Sequence, residues 1–154
     1  MRAFHQPTDI SFPAKKTDII VFMTKMPRKI SESKIYHITL LSNNHQIIFE
    51  EPEDYDKFWW ILNDYKKKCG FFLYAYCLMP NHIHLLIKEG QIPISQVIQR
   101  IEVRFVLWYN NKYDRDGHLF HNRFGSEPVE DETYFLKAVR YIHLNPVNPS
   151  LPLR

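Results

Sequence analysis

His82 and His84 stand one residue apart in a segment, residues 71–89, that reads FFLYAYCLMPNHIHLLIKE. Two apolar runs flank a Met79-Pro80-Asn81 break, and the His pair opens the second run. On a β-strand successive side chains alternate faces, so the two imidazoles share one face while Ile83 points to the other. Two neutral imidazoles on a rigid strand make half of a divalent-metal site, although simple packing or a surface pair uses the same pattern. The far end of the chain offers a second half. Tyr134, Ala138, Tyr141 and Asn145 are spaced 4, 3 and 4, which puts them on one side of a helix. Ala138 is small enough to let that side approach another surface closely. Tyr141 brings a phenol and Asn145 an amide oxygen one turn further on. His82, His84 and Asn145 would thus form a nitrogen–nitrogen–oxygen ligand set with a hydroxyl nucleophile beside it. A phenol with a pKa near ~10 attacks poorly unless its proton leaves or its target is polarised. A divalent cation on those ligands would polarise a phosphodiester and offset the charge on the departing oxygen. Mixed imidazole and oxygen ligation admits Mg²⁺ or Mn²⁺.

The elements that must position these groups follow from spacing and turn signals. Residues 34–41 (KIYHITLL) read as a strand followed by the turn signal Ser42-Asn43-Asn44, and residues 45–49 as a short second strand. Pro52 suits the first turn of a helix whose apolar stripe is Tyr55, Phe58, Trp59, Leu62, Tyr65 and Cys69, closed by Gly70. The two runs of the opening segment form strands joined at Pro80-Asn81. A second helix over residues 95–113 carries the stripe Ile94, Val97, Ile98, Ile101, Phe105 and Trp108. Arg100 and Arg104 sit four apart on a neighbouring face, a spacing that tracks a phosphate backbone or serves an ordinary solvated surface. Residues 118–124 (HLFHNRF) read as a short strand or ordered loop. The last helix starts near Asp131 and ends at about Asn145, since Pro146 biases its predecessor away from helical geometry. Its apolar stripe is Phe135, Leu136, Val139 and Ile142. Tyr74, Tyr76 and His37 read as sheet packing, and His143 points away from Tyr141, to core or surface. The order predicts an α+β fold of the ferredoxin-like or RRM-like kind, an antiparallel sheet covered by helices.

Composition sets the remaining bounds. At 154 residues, with 45% apolar and 15% aromatic residues, the chain is one globular domain rich in rings able to stack on bases. The net charge of +3 permits a nucleic-acid partner without demanding one. Residues 1–34 carry seven Lys/Arg against three acids, and the acidic runs Glu50–Asp56 and Glu127–Glu132 each sit at a predicted helix start, where negative charge suits the helix dipole. Two cysteines without a Cys-x-x-Cys pair argue against a disulfide scaffold and for a reducing cytosol. No run approaches the ~18 apolar residues of a membrane span.

Several motifs together resemble a known family. MPNHIHLLI with an upstream YAYCL, Gly117-His118-Leu119-Phe120 followed by Arg123-Phe124, and RYIHLNPV at 140–147 are similar to REP-associated single-tyrosine transposases. These belong to the HUH (His-hydrophobe-His) nuclease superfamily, with the transposases of the smallest single-tyrosine insertion sequences. The resemblance spans residues 26–147, leaving residues 1–25 as an N-terminal extension and residues 148–154 as a short, truncated tail. It implies an α+β fold with the His pair on a central strand, and cleavage of single-stranded DNA beside an imperfect palindromic hairpin. Tyr141 would attack the phosphate, leaving a 5′-phosphotyrosine and a free 3′-hydroxyl, with His82, His84 and Asn145 as ligands of Mg²⁺ or Mn²⁺. His118, His121 and Arg123 lie in a family motif and either contact DNA or order their loop. The implied protein is a bacterial-type, cytoplasmic, nucleoid-associated monomer or homodimer. Two rival readings use the same residues: an inert module that binds hairpin DNA or RNA, and a metal-dependent phosphodiesterase in which water attacks.

Overall fold

Strand β1 (Ile35–Leu41) sends Tyr36, Ile38 and Leu40 into one core and leaves His37 and Thr39 on the opposite face. The pleat's two-residue period forces that division. β2 (Phe72–Met79) and β3 (His82–Lys88) form a hairpin across Pro80-Asn81, and β4 (Gly125–Pro128) pairs with the free side of β1. The sheet order is β2-β3-β1-β4, with every neighbouring pair antiparallel. The computed structural model describes residues 28–146. The expected extension at 1–25 and tail at 148–154 lie outside the described residues.

Helices α1 (Pro52–Cys69) and α2 (Ile94–Lys112) cover one face of the sheet, and α3 (Glu132–Leu144) covers the other. This is the expected α+β architecture, an antiparallel sheet covered by helices, here on both faces. The larger core packs Phe58, Ile61 and Leu62 of α1 and Val97, Ile98, Ile101 and Phe105 of α2 onto Ile83, Leu85 and Ile87 of β3. The smaller core sets Ala138 and Ile142 against Ala75, Cys77 and Leu86. Ala138 is fully buried, so its small side chain lets α3 lie close to the sheet.

Local signals explain the helix ends. Pro52 occupies the first turn of α1, and Gly70 closes it with φ 66°, a conformation that costs glycine least. Asp131 caps α3 by accepting the Tyr134 amide at 2.7 Å. Asp54 does the most work per side chain. It accepts the Glu50 and Glu51 amides at 2.8 and 2.9 Å, Lys112 at 2.7 Å and the Tyr113 hydroxyl at 2.8 Å. Burial alone would raise its pKa, but the Lys112 ammonium and these donors hold it below the usual carboxylate range. Asp54 therefore ties the start of α1 to the end of α2. Asp54→Ala is expected to cost about 3 kcal/mol, combining a lost cap with stranded buried donors. Thermal denaturation would show this as a melting temperature lower by on the order of 10 °C. A fall of about 2 °C or less would mean that the network contributes little.

Four expectations need correction. Residues 45–49 form no strand: a 3-10 turn (Asn43–His45) leads into a loop whose Ile48 amide bonds the Pro80 carbonyl at 2.7 Å. Ile48 and Phe49 are both buried, which a one-sided strand with alternating faces cannot do. In α2 the buried position after Phe105 is Tyr109, with Trp108 only flanking. Leu136 of α3 is 58% exposed, because the packed side of that helix runs through Ala138, Ile142 and Asn145. The two faces read from the sequence are thus one. Asn145 also stays in right-handed helical geometry (φ −55°, ψ −42°) despite Pro146, held by its amide's 2.9 Å bond to the Tyr141 carbonyl.

Candidate active site

The strand pairing decides what faces the His pair. Leu41 lies opposite His82 and Thr39 opposite His84, with His37 one diagonal step away on the same face. α3 crosses that face and brings the Tyr141 ring edge-on to His84, centroids 5.2 Å apart at 83°. Tyr141 also meets His37 at 5.9 Å and 70°. A cleft of about 400 Å³ opens here, lined by Thr39, Leu41, Ser42, His45, Asn81, His82, His84 and Tyr141. Asn145, at the end of α3, is 1% exposed and close enough to His82 to affect its charge. The four residues singled out from spacing, His82, His84, Tyr141 and Asn145, therefore meet in one place.

The ring nitrogens are held in a definite way. Asn81 Oδ1 lies 2.7 Å from His82 Nδ1 and can only accept, so that nitrogen carries the proton. His84 Nδ1 lies 3.1 Å from His37 Nε2 and 3.3 Å from Thr39 Oγ1. In both histidines Nδ1 is engaged, which leaves Nε2 for a ligand. Burial lowers the pKa of His82, offset in part by Asn145. Burial, then repulsion from His37 and His82, lowers that of His84 to about 3. Burial also lowers His37, with the Glu127 carboxylate pulling the other way. All three imidazoles are neutral at pH 7, the state a metal requires.

A native pKa below ~6.5 means that the unfolded chain takes up protons on acidification before the native chain does. The stability gained from neutral imidazoles is thus present above pH ~6.5 and is lost as pH falls towards the native value. His84, with its pKa lowered to about 3, contributes a slope of about 1.4 kcal/mol per pH unit in that window, and His37 and His82 act in the same direction. Urea denaturation in a chelator is expected to show stability falling between pH 6.5 and 5, above the carboxylate range. His84→Gln should flatten the slope, and stability unchanged from pH 7.5 to 5 would contradict neutral burial.

Three buried side-chain atoms near this site make no well-formed hydrogen bond: Asn145 Oδ1, which approaches His82 closely enough to raise its pKa without meeting bond geometry, Ser42 Oγ and His37 Nδ1. Buried polar atoms are normally satisfied, so such a cluster marks a place shaped for something else. Two neutral imidazoles and an orphaned amide oxygen are a fitting donor set for a divalent cation with open positions. Among the described residues no three His, Cys, Asp or Glu side chains cluster as a metal site, so the third ligand here would be the amide.

Other expected residues lie elsewhere. Arg100 and Arg104 are on α2, across the sheet from the His pair, and Arg104 is paired with Asp64 and stacked on Trp60 at 4.6 Å. The segment with His118, His121 and Arg123 is an ordered loop, with β4 following it at Gly125. Phe120 bridges to Ser42 and the His121 amide bonds Leu41, which brings that part of the loop beside the cleft; all three side chains are exposed, and Arg123 lines a separate cavity with Arg28 and Tyr36. His143 is exposed, Tyr74 packs edge-on to Phe135, and Tyr76 stacks on Trp59. His37, Thr39, Ser42, His45 and Asn81 are the polar site residues that spacing did not pick out. His37 and Thr39 had one available signal, polar side chains at the alternate positions of a strand otherwise apolar.

Comparison with known proteins bears on the same region. The sequence profile described as "Transposase IS200 like" matches residues 30–145. A solved structure of a REP-associated tyrosine transposase bound to a REP hairpin is similar, with a TM-score of 0.67 and 19% identity, over 82% of this chain and 74% of the other. A protein of Deinococcus radiodurans R1 described as a transposase is similar at a TM-score of 0.52 and 21% identity, over 77% of this chain and 95% of the other. None of the curated proteins compared matches the chain.

Proposed function

Since the chain belongs to the IS200-like transposase family, we propose that it cleaves single-stranded DNA beside a hairpin through a covalent 5′-phosphotyrosine. The observation that carries this reading is the meeting of Tyr141 with His84 at a cleft that His82 also lines, with the buried Asn145 amide beside His82. Mg²⁺ or Mn²⁺, held by His82, His84 and Asn145, would supply Lewis-acid polarisation of the scissile phosphate. The rest falls to the chain's own groups. Asn81 orients His82 through Nδ1, and α3 holds the phenol against the His84 ring. The Tyr141 oxygen attacks phosphorus and loses its proton; the P–O3′ bond breaks, and the 3′ oxygen takes up a proton. One phosphoester replaces another, so no external energy is needed. An aryl ester has a better leaving group than an alkyl one, so a 3′-hydroxyl can later displace Tyr141 and join strands.

Hairpin DNA as partner is supported by the hairpin carried in the similar solved structure. The test uses labelled hairpin oligonucleotides with single-stranded flanks, incubated with the protein in Mg²⁺ or Mn²⁺ and run on denaturing gels. A protein–DNA adduct with a matching 3′-hydroxyl fragment is expected. Cleavage without an adduct would assign the attack to water, and binding without cleavage would assign an inert module.

A further inference from the structure

We propose that His37 is a positioning residue that holds His84 through Nδ1 and Tyr141 through ring contact, fixing a metal ligand and the nucleophile as one unit. The role rests on the reading of the site given above. The placement follows from register: Thr39 lies opposite His84 and His37 opposite Leu86, so the two side chains flank the His84 ring on the α3 face. A neutral imidazole has one N–H and one lone pair. For His84 to present its lone pair at Nε2, its proton must sit on Nδ1 and find an acceptor there. His37 Nε2 is that acceptor at 3.1 Å, with Thr39 Oγ1 second at 3.3 Å. Asn81 does the same for His82 at 2.7 Å, so both ligands show the cleft the same nitrogen.

His37 then keeps its own proton on Nδ1, an atom that is buried and unpartnered. The carboxylate opposite it, Glu127, is committed to the Tyr134 hydroxyl at 2.6 Å. A histidine 4% exposed with one unsatisfied nitrogen is a poor choice for stability, because an apolar side chain would fill the space without that cost. What it gains is contact with both partners. The His37 ring lies 5.2 Å from His84 and 5.9 Å from Tyr141, while His84 lies 5.2 Å from Tyr141, so the three rings pack as a triangle.

The experiment compares the full chain with His37→Leu and His37→Gln by calorimetric titration with Mn²⁺, thermal melting, and long-range ¹H–¹⁵N spectra that report imidazole tautomers. The wild type is expected to show His84 protonated on Nδ1. His37→Leu should lose that single tautomer and bind Mn²⁺ roughly ten- to hundredfold more weakly while melting no lower than wild type. His37→Gln, which restores an acceptor oxygen, should recover most of both. Wild-type affinity and tautomer in His37→Leu would overturn the proposal, as would a loss that tracks the melting temperature and that His37→Gln does not repair. A wild-type chain that binds no Mn²⁺ would sink the metal reading instead. The tautomer spectra would then decide alone: loss of the Nδ1–H form in His37→Leu sustains the positioning role, and its persistence refutes it.

Discussion

Tyr141→Phe is expected to abolish the covalent protein–DNA adduct and to reduce hairpin cleavage by at least roughly a thousandfold, with little change in folding or binding. The substitution removes a single oxygen. The ring that packs on His84 and His37 is kept, so the contacts that seat α3 on the sheet survive. The lost atom is the only part of the residue that can attack phosphorus, and removing a nucleophile costs far more than removing a contact. Adduct yield and cleavage rate should collapse together, while the melting temperature and hairpin affinity stay within small error of wild type. An adduct that persists in Tyr141→Phe would move the attack to another residue. Tyr134 is the other tyrosine of α3, but its hydroxyl is bonded to Glu127, and burial and that carboxylate raise its pKa. Cleavage that survives without an adduct would point to water.

Replacing either strand histidine is expected to affect chemistry and binding differently. His82→Ala or His84→Ala deletes one of two imidazoles from the donor set, and the polarisation a cation supplies is worth several kcal/mol in the transition state. A loss of about 4 kcal/mol corresponds to roughly a thousandfold in rate. Binding should fall much less, because attraction between basic side chains and phosphates is spread over many contacts. Cleavage rate, adduct yield and hairpin affinity measured across a Mn²⁺ series would separate the two effects. His84→Ala carries an internal control. It removes an imidazole whose pKa is held at about 3 by burial, so the variant should resist mild acid better than wild type even as it loses activity. Equal loss of cleavage and binding in both variants would assign the pair to DNA contact rather than to metal.

Much of the fold was legible because local physics agreed with the final packing. α1 announced itself with Pro52 at its start, helical apolar spacing, and Gly70 at its end, and α3 with the Asp131 cap. The β2–β3 hairpin followed from two apolar runs around Pro80-Asn81. β4 was not legible. Gly125, Ser126, Glu127 and Pro128 have poor strand preference, and they pair only because β1 offers an open edge. The loop at residues 45–49 misled for the opposite reason: its apolar residues suit a strand, but Ile48 and Phe49 plug the larger core from an irregular segment after the 3-10 turn. Arg100 and Arg104 show a similar limit, since periodicity tells which residues share a helix face but not which layer that face belongs to.

The same division holds within the site. The sequence alone determined that His82 and His84 share a face and that Tyr134, Ala138, Tyr141 and Asn145 share another, because both statements depend only on the period of one element. Tertiary structure decided that these two faces meet. It also decided that His37 and Thr39 belong beside His84, since that depends on the β1–β3 register, a pairing between residues 47 and 45 positions apart. Local spacing carries no information about such pairings. They are settled when the strands exclude water together, and only then does a histidine that reads as ordinary sheet packing become the support for a ligand and a nucleophile at once.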